Sequence, residues 1–435
     1  PRPPAHLLPA HLTRPSSGGR PRWSAPGRLV LSCVTDHPPV AADLDSRVTF
    51  GFCLPVCPTF RLTGDESASP RGRLAAISFV GDGKASVDER FDEVTSFCLQ
   101  CRACETACPS MVPYGQIIEA ARSEVVAQLP AWRDPVRRFA LGRALAMPAL
   151  LRSASLVAGL LQRTRLLRYV PIVGGPAEGL RSIPLPLPTA RGGSWGREGG
   201  PRATLFVGCV ADPWFSGTHR ASIELLVAAG FQVETSSAQT CCGALAAHAG
   251  YVEDAARLAA RNVEVLASSE LVVADVAGCG AHLKGIRDAG AAESSLGDRV
   301  RDITEVVWDA IESGALPTLP STGEAVAVQD PCHLEHGQGI IDQPRRILEA
   351  AGYEVVDADP GGLCCGAAGV YQLEYPETSK ELGDAKARKV EVVGANLVAS
   401  ANAGCEMQLR RSLGDRFTVA HPVEFYWEAW TATRR

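Results

Sequence analysis

Apolar runs alternate with amphipathic, helix-like stretches through the second half of the chain. The apolar run ATLFVGC, at 203–209, precedes a helical stretch that ends at Gly230 and a short strand-like run, FQVET, at 231–235. The same order returns with EAVAVQDPC at 324–332 and YEVVDA at 353–358. Strands that alternate with helices in this way predict an α/β fold, with parallel sheets covered by helices.

The alternation is an internal duplication marked by cysteines. Four cysteines of one copy have counterparts in the other: Cys209, Cys241, Cys242 and Cys279, then Cys332, Cys364, Cys365 and Cys405. The offset is 123 residues for the first three pairs and 126 for the last. We therefore predict two tandem parallel-sheet Cys-Cys-Gly modules, at 201–318 and 319–435.

The first 200 residues divide by composition. Residues 1–40 are rich in Pro, Gly, Ser and Arg, and we expect a disordered N-terminal tail there. An organellar transit peptide is the alternative, but a fragment start or translated upstream sequence explains the tail better, because no Met precedes Met111. Residues 41–120 carry the first cysteine groups and predict an α-helical ferredoxin-type domain. Residues 121–200 predict a helical segment and a Pro/Gly linker.

Composition alters this picture mainly through cysteine. The chain has 435 residues, 46% of them apolar, and a formal charge of −5, which argues against nucleic acid as the main partner. No run of 18 apolar residues predicts a membrane span. The 15 cysteines are odd in number and clustered in a long, core-rich chain, so reduced, metal-binding thiols in the cytoplasm are expected rather than disulfides.

The tightest cysteine group has ferredoxin spacing. CLQCRACETACP places Cys98, Cys101, Cys104 and Cys108 before Pro109, the C-x2-C-x2-C-x3-C-P pattern of bacterial ferredoxins. Two-residue gaps let three thiolates wrap one corner of a 4Fe-4S cubane, while the fourth cysteine reaches a second cluster. Zinc is the rival metal, but it rarely uses three cysteines so closely spaced.

The upstream partner motif is only half present. CLPVCP supplies Cys53 and Cys57, but Arg47 and Phe50 stand where two more cysteines belong. Because the fourth cysteines exchange clusters, one cluster keeps four ligands, Cys98, Cys101, Cys104 and Cys57. The other keeps only Cys53 and Cys108. We predict one intact cubane and one depleted, empty or labile site, unless residues 47 and 50 are altered from an active parent.

The repeated thiols suit the edge of a further iron–sulfur cluster, and the glycine after each Cys-Cys pair permits positive φ or close backbone approach. Buried apolar thiols are the structural alternative. His282 and Gln408 stand three residues after Cys279 and Cys405, the last cysteine of each module. His282 is a candidate ligand or, more simply, a polar residue on a helix face. Asp330, His333 and His336 near Cys332 are candidates for hydrogen bonding to sulfur or proton transfer, or for a cap and surface histidines.

Over residues 45–430 these motifs together resemble the iron–sulfur subunit of glycolate oxidase (glycolate dehydrogenase). The strings that carry the resemblance are GFCLPVCPTF, CLQCRACETACPSMVPYG, GCGAHLK, DPCHLEHGQGI and LCCGAAGVYQLEYPE. The lactate-utilisation, anaerobic glycerol-3-phosphate dehydrogenase and heterodisulfide reductase iron–sulfur subunits share the architecture. The chain departs from this family, which has two complete ferredoxin motifs, at Arg47 and Phe50. It departs from the heterodisulfide reductase modules, whose distal element is Cys-x2-Cys, at His282 and Gln408. The departure leaves open whether the modules hold clusters.

The resemblance implies an oxidoreductase subunit that relays electrons from flavin-containing dehydrogenase subunits, which oxidise glycolate to glyoxylate, toward a quinone or membrane acceptor other than NAD. No flavin motif or catalytic set occurs in this chain. The alternatives are a heterodisulfide-reductase-like or lactate-utilisation oxidoreductase, and a metal-dependent regulatory or scaffold protein. The basic amphipathic segment at 135–170 predicts packing on the repeats or on a flavin subunit. Peripheral contact with the inner face of the cell membrane is the alternative.

Overall fold

The computed structural model describes residues 50–129, 134–164, 166, 169, 183, 188–286 and 295–434. The expected tail at 1–40, Cys33 and Arg47 therefore lie outside the described residues. Before the sheets, the helices are α1 Pro58–Thr63, α2 Pro70–Gly81, α3 Glu89–Ser96, α4 Ala103–Thr106, α5 Tyr114–Gln128, α6 Asp134–Gly142 and α7 Pro148–Arg163.

Helices α1–α5 form the N-terminal cysteine-bearing region. Local signals set their starts: Pro58 and Pro70 occupy first turns, and the side chains of Ser69 and Asp88 accept hydrogen bonds from Gly72 N and Phe91 N. Their apolar faces meet in one core that includes Ile77, Ile117 and Ile118. The ferredoxin-type, helical character predicted for this region is confirmed.

The basic segment forms α6 and α7, which meet at a 99° bend. Pro148 begins α7, and its ring prevents α6 and α7 from forming one continuous helix. On α6, Arg137 pairs with Glu374 at 2.7 Å, and Arg138 pairs with Glu253 and Asp254, both at 2.7 Å. One side of the segment thus packs on the repeats. Within the described part of the chain, no single helix is long and apolar enough to cross a membrane, although the bent pair passes the length and composition criteria together.

The first module contains the elements β1 Ser194–Trp195, β2 Arg202–Phe206, α8 Ala211–Trp214, α9 Ser216–Ala228, β3 Gln232–Glu234, α10 Ala244–His248, α11 Val252–Val265, β4 Val272–Ala274, α12 Ala277–Lys284, β5 Val300–Asp302 and α13 Ile303–Glu312. Its strand order is β1-β3-β2-β4-β5. The last four strands are mutually parallel, and β1 adds an antiparallel edge.

The second module contains β6 Ala325–Val328, α14 Cys332–Gln338, α15 Asp342–Ala350, β7 Glu354–Asp357, α16 Tyr371–Glu374, α17 Pro376–Val392, β8 Leu397–Ala399, α18 Ala403–Leu413, β9 Thr418–Ala420 and α19 Pro422–Ala432. Its order, β7-β6-β8-β9, is fully parallel and repeats β3-β2-β4-β5 of the first module. The predicted duplication and parallel sheets are confirmed, while the exact domain boundaries stay predictions.

A shared core joins the two modules. The C-terminal helix α19 buries Val423 and Tyr426 against Leu225 of α9, in a cluster that also contains Ile311 and Ile347. At its edge the indole N–H of Trp427 donates to Glu224 at 2.7 Å. Because each module contributes to this core, the two sheets pack as one unit, and their cysteine-bearing strand ends are held in fixed relation.

Candidate iron–sulfur sites

The four thiols predicted to share one cubane line a single cavity. Cys57, Cys98, Cys101 and Cys104 contribute to its wall together with Thr59, Arg73 and Tyr114. Cys57 lies at the start of α1, and packing of α1 and α2 brings it beside the later trio. In the described part of the chain, no three His, Cys, Asp or Glu side chains form a group suited to a single metal ion. The close sequence spacing of Cys98, Cys101 and Cys104 favours a multi-iron cluster over zinc, and ligation itself stays a prediction.

The loop between these cysteines folds its backbone toward the cavity. Gln100 and Arg102 adopt left-handed conformations, with φ of 54° and 63°, which cost a non-glycine residue about 1–2 kcal/mol each. In return, the N–H of Gln100 donates to Cys98 Sγ at 3.3 Å, and the Tyr114 hydroxyl donates to the same sulfur at 3.7 Å. Donors aimed at thiolate sulfur tune the reduction potential of an iron–sulfur cluster.

A buried arginine lies against the same cavity. Arg73 is fully buried, donates through Nε to Val94 O at 2.8 Å and through Nη2 to Thr59 Oγ1 at 3.2 Å, and Nη1 has no hydrogen-bond partner among the described residues. Burial opposes its charge, but Tyr114 and the thiols of Cys98 and Cys57 outweigh that effect and raise the pKa of Arg73. A cluster bound by four thiolates carries net negative charge, so the buried guanidinium of Arg73 fits it as a nearby cation.

Burial disfavours the ionised form of two of these thiols, Cys101 and Cys104. Burial, with the neighbouring thiols, raises the pKa of Cys101 and of Cys104 well above the usual range. Bound iron reverses this preference because a coordinating thiol loses its proton. These residues therefore fit a 4Fe-4S cluster, with Cys57, Cys98, Cys101 and Cys104 as the candidate ligands.

The second ferredoxin site has fewer donors. Cys53 and Cys108 are half-buried at the edge of the same core, and burial raises the pKa of Cys53. Phe50, which stands where a third cysteine belongs, is 66% exposed, and its ring centroid lies 6.1 Å from that of Phe52. The predicted depletion of this site stays a prediction.

In each module the cysteines lie where parallel sheets bind ligands. Cys209 follows β2 and Cys279 follows the adjacent β4, and Cys332 and Cys405 follow the equivalent neighbours β6 and β8. From this central pair the chain continues to opposite edges of the sheet, which leaves a crevice at the carboxyl ends of the two strands. The repeated cysteines therefore converge because of the strand order.

The Cys-Cys-Gly loops complete both groups. In the second module, Cys365 Sγ lies 2.9 Å from Cys405 Sγ, and Cys332 Sγ lies 3.9 Å from Cys364 Sγ. In the first, Cys209 is hydrogen-bonded to Cys241, and Cys242 to Cys279. Thiol hydrogen bonding and burial raise the pKa of Cys209 well above its usual value. Each module thus gathers four thiols, and cluster binding by them remains a prediction.

The glycine of each triplet has the conformation that its sequence position predicts. Gly243 has a φ of +98° and Gly366 a φ of +83°. A Cβ at Gly366 would also lie 2.7 Å from Ser379 O. Gln408, three residues after Cys405, donates through Nε2 to that same carbonyl at 2.8 Å. It therefore holds the backbone against which the Cys-Cys-Gly loop packs.

The two cysteine modules are not equivalent in their surroundings. In the second, Cys332 and Cys364 pack in one apolar cluster with Leu99 and Cys101 of the ferredoxin loop. In the first, Cys209 and Cys241 pack instead against α7 and the turn before it, at Leu145 and Leu151. The second module is therefore the direct neighbour of the candidate cubane. The sequence does not indicate which module is this neighbour, since both copies carry the same motif.

The candidate polar residues around Cys332 have distinct partners. Asp330 accepts two hydrogen bonds from Arg345, at 2.8 and 2.7 Å, and His336 Nδ1 lies 3.1 Å from Thr106 Oγ1. His333 is instead half-buried and packs against His248, with ring centroids 5.5 Å apart. Sequence analysis missed His248 and its partner Glu119, because neither lies in a cysteine motif.

Asp359 fixes the loop that carries Cys364. Its Oδ2 accepts from Leu363 N at 2.8 Å and from Lys386 Nζ at 3.0 Å, and Lys389 donates to Oδ1. The side chains of Asp359 and Lys386 are both 1% exposed. Burial raises the pKa of Asp359, but the two lysines outweigh it and hold that pKa at about 2.

Asp359→Asn is expected to reduce the free energy of unfolding by about 3–5 kcal/mol, because it leaves the Lys386 ammonium buried without a counter-charge. In wild type this contribution is complete above the unfolded-state pKa of about 4 and is lost as pH falls toward 2. Urea unfolding followed by circular dichroism measures it. Asp384→Asn, which removes only the more exposed pair with Lys380, is the control and should cost at most about 1 kcal/mol. Equal losses in both variants would contradict the account.

Comparison with known proteins places these features in context. The 4Fe-4S dicluster domain family matches residues 49–112, and the Cysteine-rich domain family matches residues 203–284 and 326–410. The chain is 30% identical to the probable glycolate oxidase iron–sulfur subunit of Bacillus subtilis, over 87% of this chain and 92% of that protein. It is also 30% identical to the glycolate oxidase iron–sulfur subunit of Escherichia coli, over 89% and 94%.

A more distant relative shares only part of the chain. It is one of the subunits of the fumarate reductase (CoM/CoB) of Methanothermobacter marburgensis, and it is 30% identical over 51% of this chain and 44% of its own length.

Proposed function

Because this chain belongs to the family of glycolate oxidase iron–sulfur subunits, we propose that it relays electrons from flavin-containing subunits, which oxidise glycolate to glyoxylate, toward a quinone. It is an iron–sulfur electron-transfer subunit of an oxidoreductase complex. The observation that carries the proposal is the packing of Cys332 and Cys364 against Cys101, which joins the candidate cubane to the second module through one apolar cluster.

A bound 4Fe-4S cluster supplies reversible one-electron storage. The chain's own residues hold it and exclude water: Cys57, Cys98 and Cys104 are each less than 10% exposed, and Arg73 places a positive charge beside them. The four thiols of each module are proposed to hold a further iron–sulfur centre. Cys53 and Cys108 are left with a depleted site.

The outer face of α7 is the proposed docking surface for the flavin subunits. Val157 and Leu160 are 57% and 58% exposed, and other apolar side chains of this helix lie beside them. The inner face of α7 packs on the first module, where Trp214 Nε1 donates to Ser155 Oγ at 2.9 Å and Leu151 contacts the cluster containing Cys209. A partner on α7 would therefore lie close to redox thiols. We propose a cytoplasmic location, with the complex at the inner face of the membrane.

Anaerobic co-expression with the flavin subunits tests this function. The purified complex is expected to contain flavin and iron, and glycolate should bleach the visible absorption of its iron–sulfur centres and reduce an added dye. Val157→Asp combined with Leu160→Asp should release the flavin subunits, because two carboxylates cannot be desolvated in an apolar interface. Val392→Asp, at a position that is 85% exposed on α17, is the control and should leave the complex intact.

Two outcomes would count against the proposal. Co-purification that survives the double substitution would rule out the α7 face as the docking surface. Release of thiols from a disulfide substrate, without any response to glycolate, would favour the heterodisulfide-reductase alternative, in which the Cys-Cys-Gly sites carry out the chemistry themselves.

A further inference from the structure

A second cavity, of about 70 Å³, lies where the ferredoxin region meets both modules. Its polar wall is built by residues from all three parts: Gln100, Arg102 and Glu119, then His248 and His282, then His333. A water molecule needs about 10–15 Å³ of such space, so the cavity has room for several. It is distinct from the cavity lined by the ferredoxin thiols.

A carboxyl–imidazole pair occupies one side of this cavity. Glu119 Oε1 lies 2.6 Å from His248 Nδ1, and the glutamate is 5% exposed. Across the cavity, His333 Nε2 is buried and has no hydrogen-bond partner among the described residues, although its ring faces that of His248. A cavity water can therefore link the paired groups to His333, and such a chain moves protons.

Residues that line the cavity are close in sequence to cysteines of all three groups. Gln100 and Arg102 flank Cys101, His282 is three residues from Cys279, and His333 follows Cys332 directly. At about 3.8 Å per residue, each of these four cavity residues lies within about 11 Å of a cysteine along the backbone. An electron arriving at any of these cysteine groups would thus place negative charge close to Glu119.

Burial and the surrounding charges determine the pKa of Glu119. Burial raises the pKa of Glu119 to about 7, against the opposing effect of His282, Arg102 and Arg122. Arg102 is itself paired with Glu105 at 2.8 Å, and Arg122 donates to backbone carbonyls, including His248 O at 2.7 Å. Burial and these two arginines lower the pKa of His248 to about 3, so the imidazole stays neutral and Glu119 is the member of the pair that titrates near pH 7.

We propose that this cavity is a proton-uptake site coupled to reduction of the neighbouring iron–sulfur centres. When a centre gains one electron from the donor subunit, the Glu119 carboxylate takes up one proton from bulk solvent, relayed by water in the cavity. When the electron passes to the acceptor, the proton returns to bulk solvent by the same route. Charge is balanced in both steps: one proton accompanies each electron on arrival and on departure.

The coupling rests on the proposed electron-transfer function and predicts a specific pH dependence. Below about pH 7 Glu119 is already protonated, so the reduction potential of the coupled centre is independent of pH. Above that value the reduced state binds one more proton than the oxidised state, and the potential falls with pH, by at most about 59 mV per unit for one proton and one electron.

Spectroscopic redox titration of the anaerobically purified, iron-containing protein between pH 6 and 9 tests this slope. Glu119→Gln, which keeps a side chain able to hydrogen-bond His248, is expected to abolish the slope. Glu124→Gln is the control on the same helix, because Glu124 accepts a hydrogen bond from the exposed Gln128 and does not line the cavity. Infrared difference spectra should also show a protonated carboxyl band that appears on reduction in wild type and is absent in Glu119→Gln.

The outcomes separate this inference from the function on which it rests. A reducible iron centre whose potential is independent of pH in wild type, or depends on pH equally in Glu119→Gln, would overturn proton coupling and leave electron transfer intact. A protein without any reducible iron centre would overturn both.

Discussion

Changing Cys57 to serine is expected to remove about four irons per chain and the associated paramagnetic signal, whereas the same change at Cys53 should leave both in place. The two cysteines are four residues apart on the same turn. Only Cys57 lines the cavity with Cys98, Cys101 and Cys104. Because a cubane needs four ligands, loss of Cys57 leaves three, and an exposed iron corner is readily lost to oxygen or chelators.

Iron and acid-labile sulfide analysis of both variants, purified anaerobically side by side, measures this difference. Low-temperature electron paramagnetic resonance of the reduced proteins identifies the signal that disappears. Loss of iron from Cys53→Ser with retention in Cys57→Ser would show that the fourth cysteines do not exchange clusters in this chain.

Restoring two cysteines should have the opposite effect. The double substitution Arg47→Cys and Phe50→Cys is expected to add about four irons per chain, because it would give Cys53 and Cys108 the two partners that they lack. Phe50 is 66% exposed, so a smaller side chain there displaces no core packing. A second cubane would also add a spin that couples magnetically to the first.

The register of the new cysteines provides the control. Arg47→Cys with Phe52→Cys introduces the same two thiols but places one directly before Cys53, where the two-residue gap of the ferredoxin pattern is lost. Phe52 is 57% exposed, so its replacement is no more disruptive. Equal iron gain in the two double variants would mean that added thiols bind iron nonspecifically. No gain in either would mean that the depleted site cannot be restored by these cysteines.

Much of the fold follows from the sequence because the duplication constrains it. Strand–helix alternation predicts parallel sheets, and cysteines that recur directly after equivalent strands must meet where adjacent strands end. Cys209 and Cys279 are seventy residues apart in the chain, yet their strands β2 and β4 are neighbours. The place of Cys57 in the cavity lined by Cys98, Cys101 and Cys104 was likewise predictable from the ferredoxin spacing, while ligation by these four thiols stays a prediction.

Other features depend on tertiary packing that no motif encodes. Because both modules carry the same motif, the sequence does not indicate which of them contacts the ferredoxin loop. Only the assembled structure places Cys332 and Cys364, rather than their first-module counterparts, beside Cys101. Arg73 is one of many arginines in the sequence, and its full burial beside thiols could not be anticipated. Glu119 and His248 are 129 residues apart, and neither lies in a motif.

The central claim is that buried thiols from distant segments hold iron that accepts and donates electrons. Iron, sulfide and zinc analysis of the anaerobically purified chain, combined with electron paramagnetic resonance before and after reduction, tests it most directly. The account predicts at least about four irons with matching sulfide and a signal that appears on one-electron reduction. Zinc in place of iron, or native protein in which Cys57, Cys98, Cys101 and Cys104 all react freely with a thiol reagent, would contradict it.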